Sequence, residues 1–223
     1  MEIIPAIIPK TFSELKAHLE VVAGYVDTVQ IDVCDGKFAP NKTWPYLGSG
    51  ETYQKIVNEE EGMPYWEDVN FEFDLMVSNP NEVISDVARM GATRAYVHIE
   101  SIASDALSDL IKEWNHVVEI GLALKPSTPL EVLETFLHEV SSIQCMGSDR
   151  ISFGGVSLDE RVEGRIADLH KRHPELIISV DIGVNAETAP RLVAAGAKRL
   201  VMGSAIFKVV DPIGAIRSFQ KLG

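Results

Sequence analysis

Three observations predict a (β/α)8 TIM barrel: eight short apolar runs, amphipathic stretches between them, and glycines where those stretches end. The runs are Ile3–Ile8, Thr28–Val33, Phe71–Val77, Ala95–Ile99, Gly121–Leu124, Ser142–Met146, Ile177–Val180 and Leu200–Met202. Their length and β-branched or aromatic content suit strands buried on both faces. A repeating strand–helix order implies parallel strands joined by right-handed crossovers. Eight units in 223 residues average about 28 residues each, the compact end of the barrel size range. A doubly wound open sheet is the alternative with the same alternation. The length reads as one barrel domain over residues 1–223 rather than two smaller domains.

Along the chain, each strand meets a helix start. After the first, Thr11-Phe-Ser-Glu14 reads as a capping box, and Ala23-Gly24 ends the helix. The segment Pro40–Asp68 is the least regular. It reads as one helix flanked by loops containing Gly48-Ser-Gly50 and Gly62-Met-Pro64, and its run Glu59-Glu60-Glu61 reads as a solvated face. Asn79-Pro80 starts the helix after strand three, and Met90-Gly91-Ala92 ends it. Thr128-Pro129-Leu-Glu131 and Ser157-Leu-Asp-Glu160 read as capping boxes after strands five and six. Ala195-Gly196-Ala197 ends the helix before strand eight, and Asp211-Pro212 opens the last helix. The segments GATRAYVHI and GAKRLVMGS form a faint internal repeat.

Composition narrows the function classes. With 46% hydrophobic and 24% charged residues the chain is neither disordered nor fibrous. Lys plus Arg number 20 and Asp plus Glu 33, so the net charge of −13 disfavours nucleic acid and anionic membranes as partners. No stretch of eighteen apolar residues is present, and the N-terminus lacks a signal-peptide pattern. Two cysteines, Cys34 and Cys145, make no disulfide framework, which points to a reducing, cytoplasmic setting.

In a barrel, chemistry sits where strands end. Side chains two apart share a face, so Gln30, Asp32 and Cys34 go together, as do Glu72, Asp74 and Met76, then Tyr96, His98 and Glu100, then Ser179, Asp181 and Gly183. Carboxylates inside apolar strands are costly unless paired, protonated or metal-bound. Asp32, Asp74 and Asp181 are therefore candidate site residues, with capping of nearby amides the structural alternative. His98 reads as an interior residue with a hydrogen-bond partner rather than a ligand. The remaining histidines, His18, His116, His138, His170 and His173, read as surface residues. Gly154-Gly155, Gly183 and Gly203-Ser204 follow strands six, seven and eight, where backbone amides hold phosphate in many barrels.

These residues resemble a known family. Gln30-IDVCDGKFAP-Asn41 is similar to the strand-two signature of ribulose-phosphate 3-epimerases, whose usual form is close to HVDVMDGHFVPN. Pro5-Ala-Ile-Ile8, Asp74-Leu-Met76 with Asn79-Pro80, Val97-His-Ile-Glu100, Lys125-Pro-Ser-Thr-Pro129, Phe153-Gly-Gly155, Val180-Asp-Ile-Gly-Val184 and Gly203-Ser-Ala-Ile-Phe207 fall in the family's order across nearly the whole chain. The resemblance implies a phosphorylated ketose substrate inverted at the carbon beside its carbonyl. Asp32 and Asp181 would be the acid and base, and a divalent metal would stand at the strand ends. Met76 would line the substrate pocket, and Gly154, Gly155, Gly183, Gly203 and Ser204 would hold phosphate. Association into a homo-oligomer is expected by analogy only.

The chain departs from the family at the metal site. The two histidine positions hold Gln30 and Asp74, and the segment after strand six, Met146-GSDRIS-Phe153-Gly-Gly155, is one residue longer than the usual M-S-V-N-P-G-F-G-G. The resulting set, Gln30, Asp32, Asp74 and Asp181, is all oxygen. That favours Mg2+ or Mn2+, with Zn2+ or Fe2+ as alternatives. Two further readings stand beside the epimerase: a related sugar-phosphate barrel resembling 3-keto-gulonate-phosphate decarboxylases, which usually show Asp-x-Lys after strand two, and a non-catalytic sugar-phosphate binding protein. A Schiff-base role for Lys125, at the end of strand five, is also to be weighed.

Overall fold

The computed structural model describes residues 1–48 and 50–222, and its eight parallel strands close into a barrel in sequence order. They are β1 (Glu2–Ile7), β2 (Thr28–Cys34), β3 (Asn70–Met76), β4 (Ala92–His98), β5 (Glu119–Leu124), β6 (Ser142–Met146), β7 (Ile177–Asp181) and β8 (Arg199–Met202). All eight expected strands are present, most of them longer by a residue or more at an end, and β1 pairs with β8 to close the circle. The open-sheet alternative is excluded. Of the Pro40–Asp68 segment, a short helix forms at Glu51–Val57 and Glu59, Glu60 and Glu61 are exposed, while Ser49 lies outside the described residues.

The helices are α1 (Phe12–Val22), α2 (Glu51–Val57), α3 (Ile84–Arg89), α4 (Ser104–Trp114), α5 (Arg161–Arg172), α6 (Ala189–Ala195), α7 (Ser204–Phe207) and α8 (Pro212–Gln220). Thr11 caps α1 by accepting from the Glu14 amide at 3.1 Å, and Asp211 caps α8 by accepting from Gly214 at 2.9 Å. The expected stops Gly24, Gly91 and Gly196 all take positive φ.

Three expected helix starts differ. Thr128 opens no α-helix: its hydroxyl donates to Glu100 Oε1, and the chain makes only a 3-10 turn at Leu130–Leu133. Ser157 caps nothing, because α5 begins four residues later, where Asp159 accepts from the Arg161 amide. After Asn79-Pro80 the first turn is 3-10 and Asn79 makes no capping bond. Each motif supplied a competent hydroxyl or amide, but a tertiary partner or a tighter turn took precedence.

The main core fills the space between the barrel and its helices, with Leu15, Leu19, Ile31, Phe73, Leu107, Ile143, Ile166 and Leu200 among its fully buried members. The barrel interior is different at its two ends. Near the N-terminal end it is closed by a polar plug. Arg199, 2% exposed, donates to Glu72 at 2.7 Å, to Glu2 at 2.7 Å and to the Tyr96 hydroxyl at 3.0 Å. Gly121 makes room for this layer, since a Cβ there would sit 2.5 Å from the Tyr96 ring. Above it, Cys34, Met76, Tyr96, Ala123, Met146 and Ile151 form a small apolar cluster that floors the C-terminal mouth. No helix among the described residues is long and apolar enough to cross a membrane.

Candidate active site

Strand register builds the site. Asp32 pairs with Asp74 across β2 and β3, and Asp181 ends β7 beside Met146 of β6. Alternation turns all three aspartates into the barrel, where one oxygen from each lies within 4.8 Å of the others. They are 3%, 0% and 6% exposed. Three carboxylates in so dry a place repel one another, and the surroundings divide them. Asp32 Oδ1 accepts from Gln30 Nε2 at 2.8 Å, Asp181 Oδ1 accepts from the Ile182 amide at 2.8 Å, and Asp74 Oδ1 meets His98 Nε2 at 3.0 Å.

The electrostatics follow. Burial, then the charges of Asp181 and Asp74, push the Asp32 carboxyl well above the ordinary range, against the Gln30 bond. Burial and Asp74 lift Asp181 to about 7. Burial works against a charge on His98, but Asp74 and Glu100 outweigh it and lift the imidazole to about 9. His98 is thus the interior, partnered residue expected. Of the other histidines, His116 and His138 are exposed, whereas His18, His170 and His173 are half-buried.

The donor set fits a divalent cation. Asp74 Oδ2 and Gln30 Oε1 are buried and have no partner among the described residues, an expensive state for polar atoms unless something binds them. The three aspartates stand together as the sequence implied. Gln30 lies beside them, but it presents its amide nitrogen to Asp32, leaving the oxygen as the orphan.

Asp32 and Asp181 also line a small cavity together with Ala6, Met76, Ser152, Gly154, Gly155, Gly183, Gly203 and Ser204. The structure therefore joins the acidic cluster to the expected glycines. Among the described residues, the amides of Gly154, Gly155, Gly183 and Ser204, all on residues that line the cavity, serve no turn, loop or capping hydrogen bond. Gly154 has an ordinary φ, and a Cβ there would meet no protein atom, so its missing side chain is room left in the cavity rather than a turn requirement.

Loops from three strands frame the mouth. Asp35 ties the loop after β2 to the end of β3, accepting from the amides of Lys37, Phe38 and Ser78 and from the Ser78 hydroxyl. Burial opposes its charge, but these bonds outweigh it and hold Asp35 below the usual value. Phe38 rests 5.2 Å from the His98 ring, and Lys125 Nζ lies 4.4 Å above Phe38. Lys125 does not line the cavity that holds the aspartates. Glu100 lies just past β4 and binds the β5 loop through Lys125 N and Thr128 Oγ1; burial opposes its charge, but His98 first, and then these two bonds, hold its carboxyl at about 2. Residues not picked out from the sequence also shape the site. Gly147 donates to the Asp181 carbonyl at 2.5 Å, and a Cβ there would collide with the Ile182 carbonyl oxygen. Only its position after a strand could have marked it. Ser152 is the other, with φ of 70°.

A family model described as the ribulose-phosphate 3 epimerase family matches residues 2–207. The ribulose-phosphate 3-epimerase of Bacillus subtilis is 31% identical over 99% of this chain and 98% of its own length. That of Synechocystis is 31% identical over 97% and 93%. Among solved structures, 3-hexulose-6-phosphate synthase from Salmonella typhimurium superposes with a TM-score of 0.72 at 16% identity, covering 100% of this chain and 98% of that one. KGPDC from Streptococcus mutans, in complex with D-R5P, gives 0.74 at 15% identity, covering 99% and 95%. At such low identity these structures share the fold alone.

Proposed function

The chain belongs to the ribulose-phosphate 3-epimerase family and is a carbohydrate-phosphate epimerase, and from that premise we propose that Asp32 and Asp181 are the two proton-transfer groups that invert a ketose phosphate at the carbon beside its carbonyl. The observation that carries this reading is their shared place: two buried carboxyls, both held above the normal range, in one cavity with free backbone amides. β2 and β7 are separated by β8 and β1 around the barrel, so the carboxyls reach the cavity from different sides.

Inversion requires a base on one face of the carbon and an acid on the other. Burial and mutual repulsion make it costly for both carboxyls to be charged, so the pair keeps one proton between them across neutral pH. The ionised member takes the proton from the substrate carbon, and the protonated member returns one to the opposite face. Each carboxyl has Oδ1 held by a protein donor and, among the described residues, no hydrogen bond on Oδ2, which leaves Oδ2 for the proton. With no ion bound, burial and Asp74 lift Asp181 to about 7, near neutral pH, where acid–base catalysis is most effective. Met76 would close one wall of the pocket. The amides at Gly154, Gly155, Gly183 and Ser204 would hold the phosphate, which accounts for anion binding by a chain of net charge −13.

Asp32, Asp74 and Asp181, with Gln30 after rotation of its amide, would hold a divalent ion. When bound, such an ion would supply positive charge beside the substrate oxygens next to the inverted carbon. The all-oxygen set favours Mg2+ or Mn2+ over Zn2+. Buried, unpaired thiols at Cys34 and Cys145 support a reducing compartment. The decisive assay is conversion of D-ribulose 5-phosphate to xylulose 5-phosphate with each metal added in turn. Turnover supports the reading. Binding of the ketose phosphate without turnover under any metal would instead support a sugar-phosphate binding protein.

A further inference from the structure

Trp66 is 65% exposed, although the chain on either side of it is anchored. Three residues earlier, Met63 is 3% exposed in the main core, and Tyr65 packs against that core. The Tyr65 carbonyl accepts from the amides of Asp68 and Val69 at 2.9 and 3.1 Å, and Val69 is buried. The indole lies across Gly62, where a Cβ would stand 3.3 Å from its Cδ1. A segment so tied holds its tryptophan out to solvent and forgoes the burial that large aromatic rings contribute. A lone exposed ring needs no explanation, but this one has charged surroundings of one sign.

The ring stands between two depressions at the N-terminal end of the barrel, opposite the end that carries Asp32 and Asp181. One has Ile56, Met63 and Met90 in its wall, together with the exposed Glu59, Glu60, Glu61 and Arg89. The other is bordered by the exposed Asp27, Glu67 and Asp68, beside the first residue of β3. Six carboxylates therefore flank Trp66, against one guanidinium. Among the described residues one of the six, Glu61, has an ion-pair partner, Lys55 at 3.3 Å. The amides of Glu60 and Glu61 donate to the Lys55 carbonyl at 2.8 and 3.3 Å, which fixes the acidic run beside the ring.

We propose that this face is a docking surface for a basic segment of a partner protein, with a lysine or arginine side chain laid on the Trp66 ring and its charged neighbours met by the flanking carboxylates. Indole faces attract ammonium and guanidinium groups, and the apolar wall beside Trp66 suits their methylene stems. Charge decides against a second copy of this chain as the occupant. Two such faces would set carboxylates against carboxylates, in a chain of net charge −13. Nucleic acid and anionic membranes are repelled for the same reason. The surface lies away from the aspartates, so the inference is independent of the epimerase reading.

The test titrates the protein with an N-acetylated, amidated Arg-Lys-Arg-Lys peptide, followed by calorimetry and by tryptophan fluorescence. Trp44 is buried and Trp114 half-buried, so a fluorescence change lost in Trp66→Ala reports on this ring. Saturable binding at one site per chain is expected. It should weaken by about 5- to 30-fold in Trp66→Ala and recover in part in Trp66→Phe, as for a stacked cation. Combined Glu59→Gln, Glu60→Gln and Glu61→Gln should weaken it at least about 5-fold, as should salt of about 0.5 M with wild type. An equal loss of charge on α4, through Asp105→Asn, Asp109→Asn and Glu113→Gln, should change it by less than about twofold. All the substituted side chains are exposed, so the variants keep the fold, which equal Tm values check. Absence of binding, equal weakening by the two charge triples, or binding indifferent to Trp66→Ala overturns the proposal. So does a concentration-dependent dimer in sedimentation that shields Trp66 from acrylamide quenching, since the occupant would then be a second copy.

Discussion

Replacing Arg199 by methionine tests the polar plug at the closed end of the barrel. Arg199 Nη2 bonds Glu72 at 2.7 Å, and both side chains are buried, Glu72 completely. Burial raises the Glu72 carboxyl, and Arg199 is the strongest influence holding it down, followed by Arg94 at 3.3 Å. Removing one partner of a buried ion pair costs about 3–5 kcal/mol, because the other charge is left without compensation. Arg94 remains near Glu72, so the lower figure, about 3 kcal/mol, applies. A chain of this length has an unfolding entropy of about 0.5 kcal/mol/K, so Tm should fall by about 6 °C. The deficit, measured by urea and thermal melts at pH 7, should shrink toward pH 4. There Glu72, whose folded value is raised above its unfolded one, takes up a proton. Adding Glu72→Gln to Arg199→Met removes the stranded charge and should recover at least about 1 kcal/mol. If Arg199→Met is within about 0.5 kcal/mol of wild type, or the double variant is weaker than the single, the plug is not held by this pair.

The aspartates make their own pH signature. Asp32 and Asp181 are raised in the folded state, so their contribution to stability is fully present below about pH 4 and is lost as pH rises through about 7. Without metal, wild type should therefore lose stability relative to Asp181→Asn between pH 5 and 8, by a few kcal/mol at the upper end. Parallel melting profiles for the two proteins would remove the pair's raised proton affinity. Mg2+ or Mn2+ should raise Tm more at pH 8 than at pH 5, since the ion competes with protons for the same oxygens; an equal rise at both would disconnect the ion from this cluster. Elemental analysis after desalting should find about one divalent ion per chain in wild type and a clear loss in Asp74→Ala. Unchanged content would take Asp74 out of the ligand set.

Much of this molecule is legible in its residues because the strongest signals are local. The eight strands follow from short β-rich runs, and Gly24, Gly91 and Gly196 mark helix ends because φ there is positive. The gathering of Asp32, Asp74 and Asp181 is legible through alternation: a charged residue amid buried strand positions must face the barrel. What stayed hidden depends on partners far away in sequence. Thr128 is a fine capping residue until Glu100 takes its hydroxyl, and Arg199 looks like a strand edge until closure of the barrel brings Glu72 to it. The same holds for Gln30, whose orientation is set by Asp32.

The central claim is that Asp32 and Asp181 move protons on opposite faces of one carbon. Incubation of D-ribulose 5-phosphate in deuterated water, with carbon 3 monitored by NMR for wild type, Asp32→Asn and Asp181→Asn, tests it most directly. Wild type should place deuterium at carbon 3 of the xylulose product. Each asparagine variant should keep its fold and lose epimerisation by at least about 10²-fold, the contribution of one positioned acid or base. Epimerisation and deuterium incorporation at the wild-type rate in either variant would contradict the two-aspartate account.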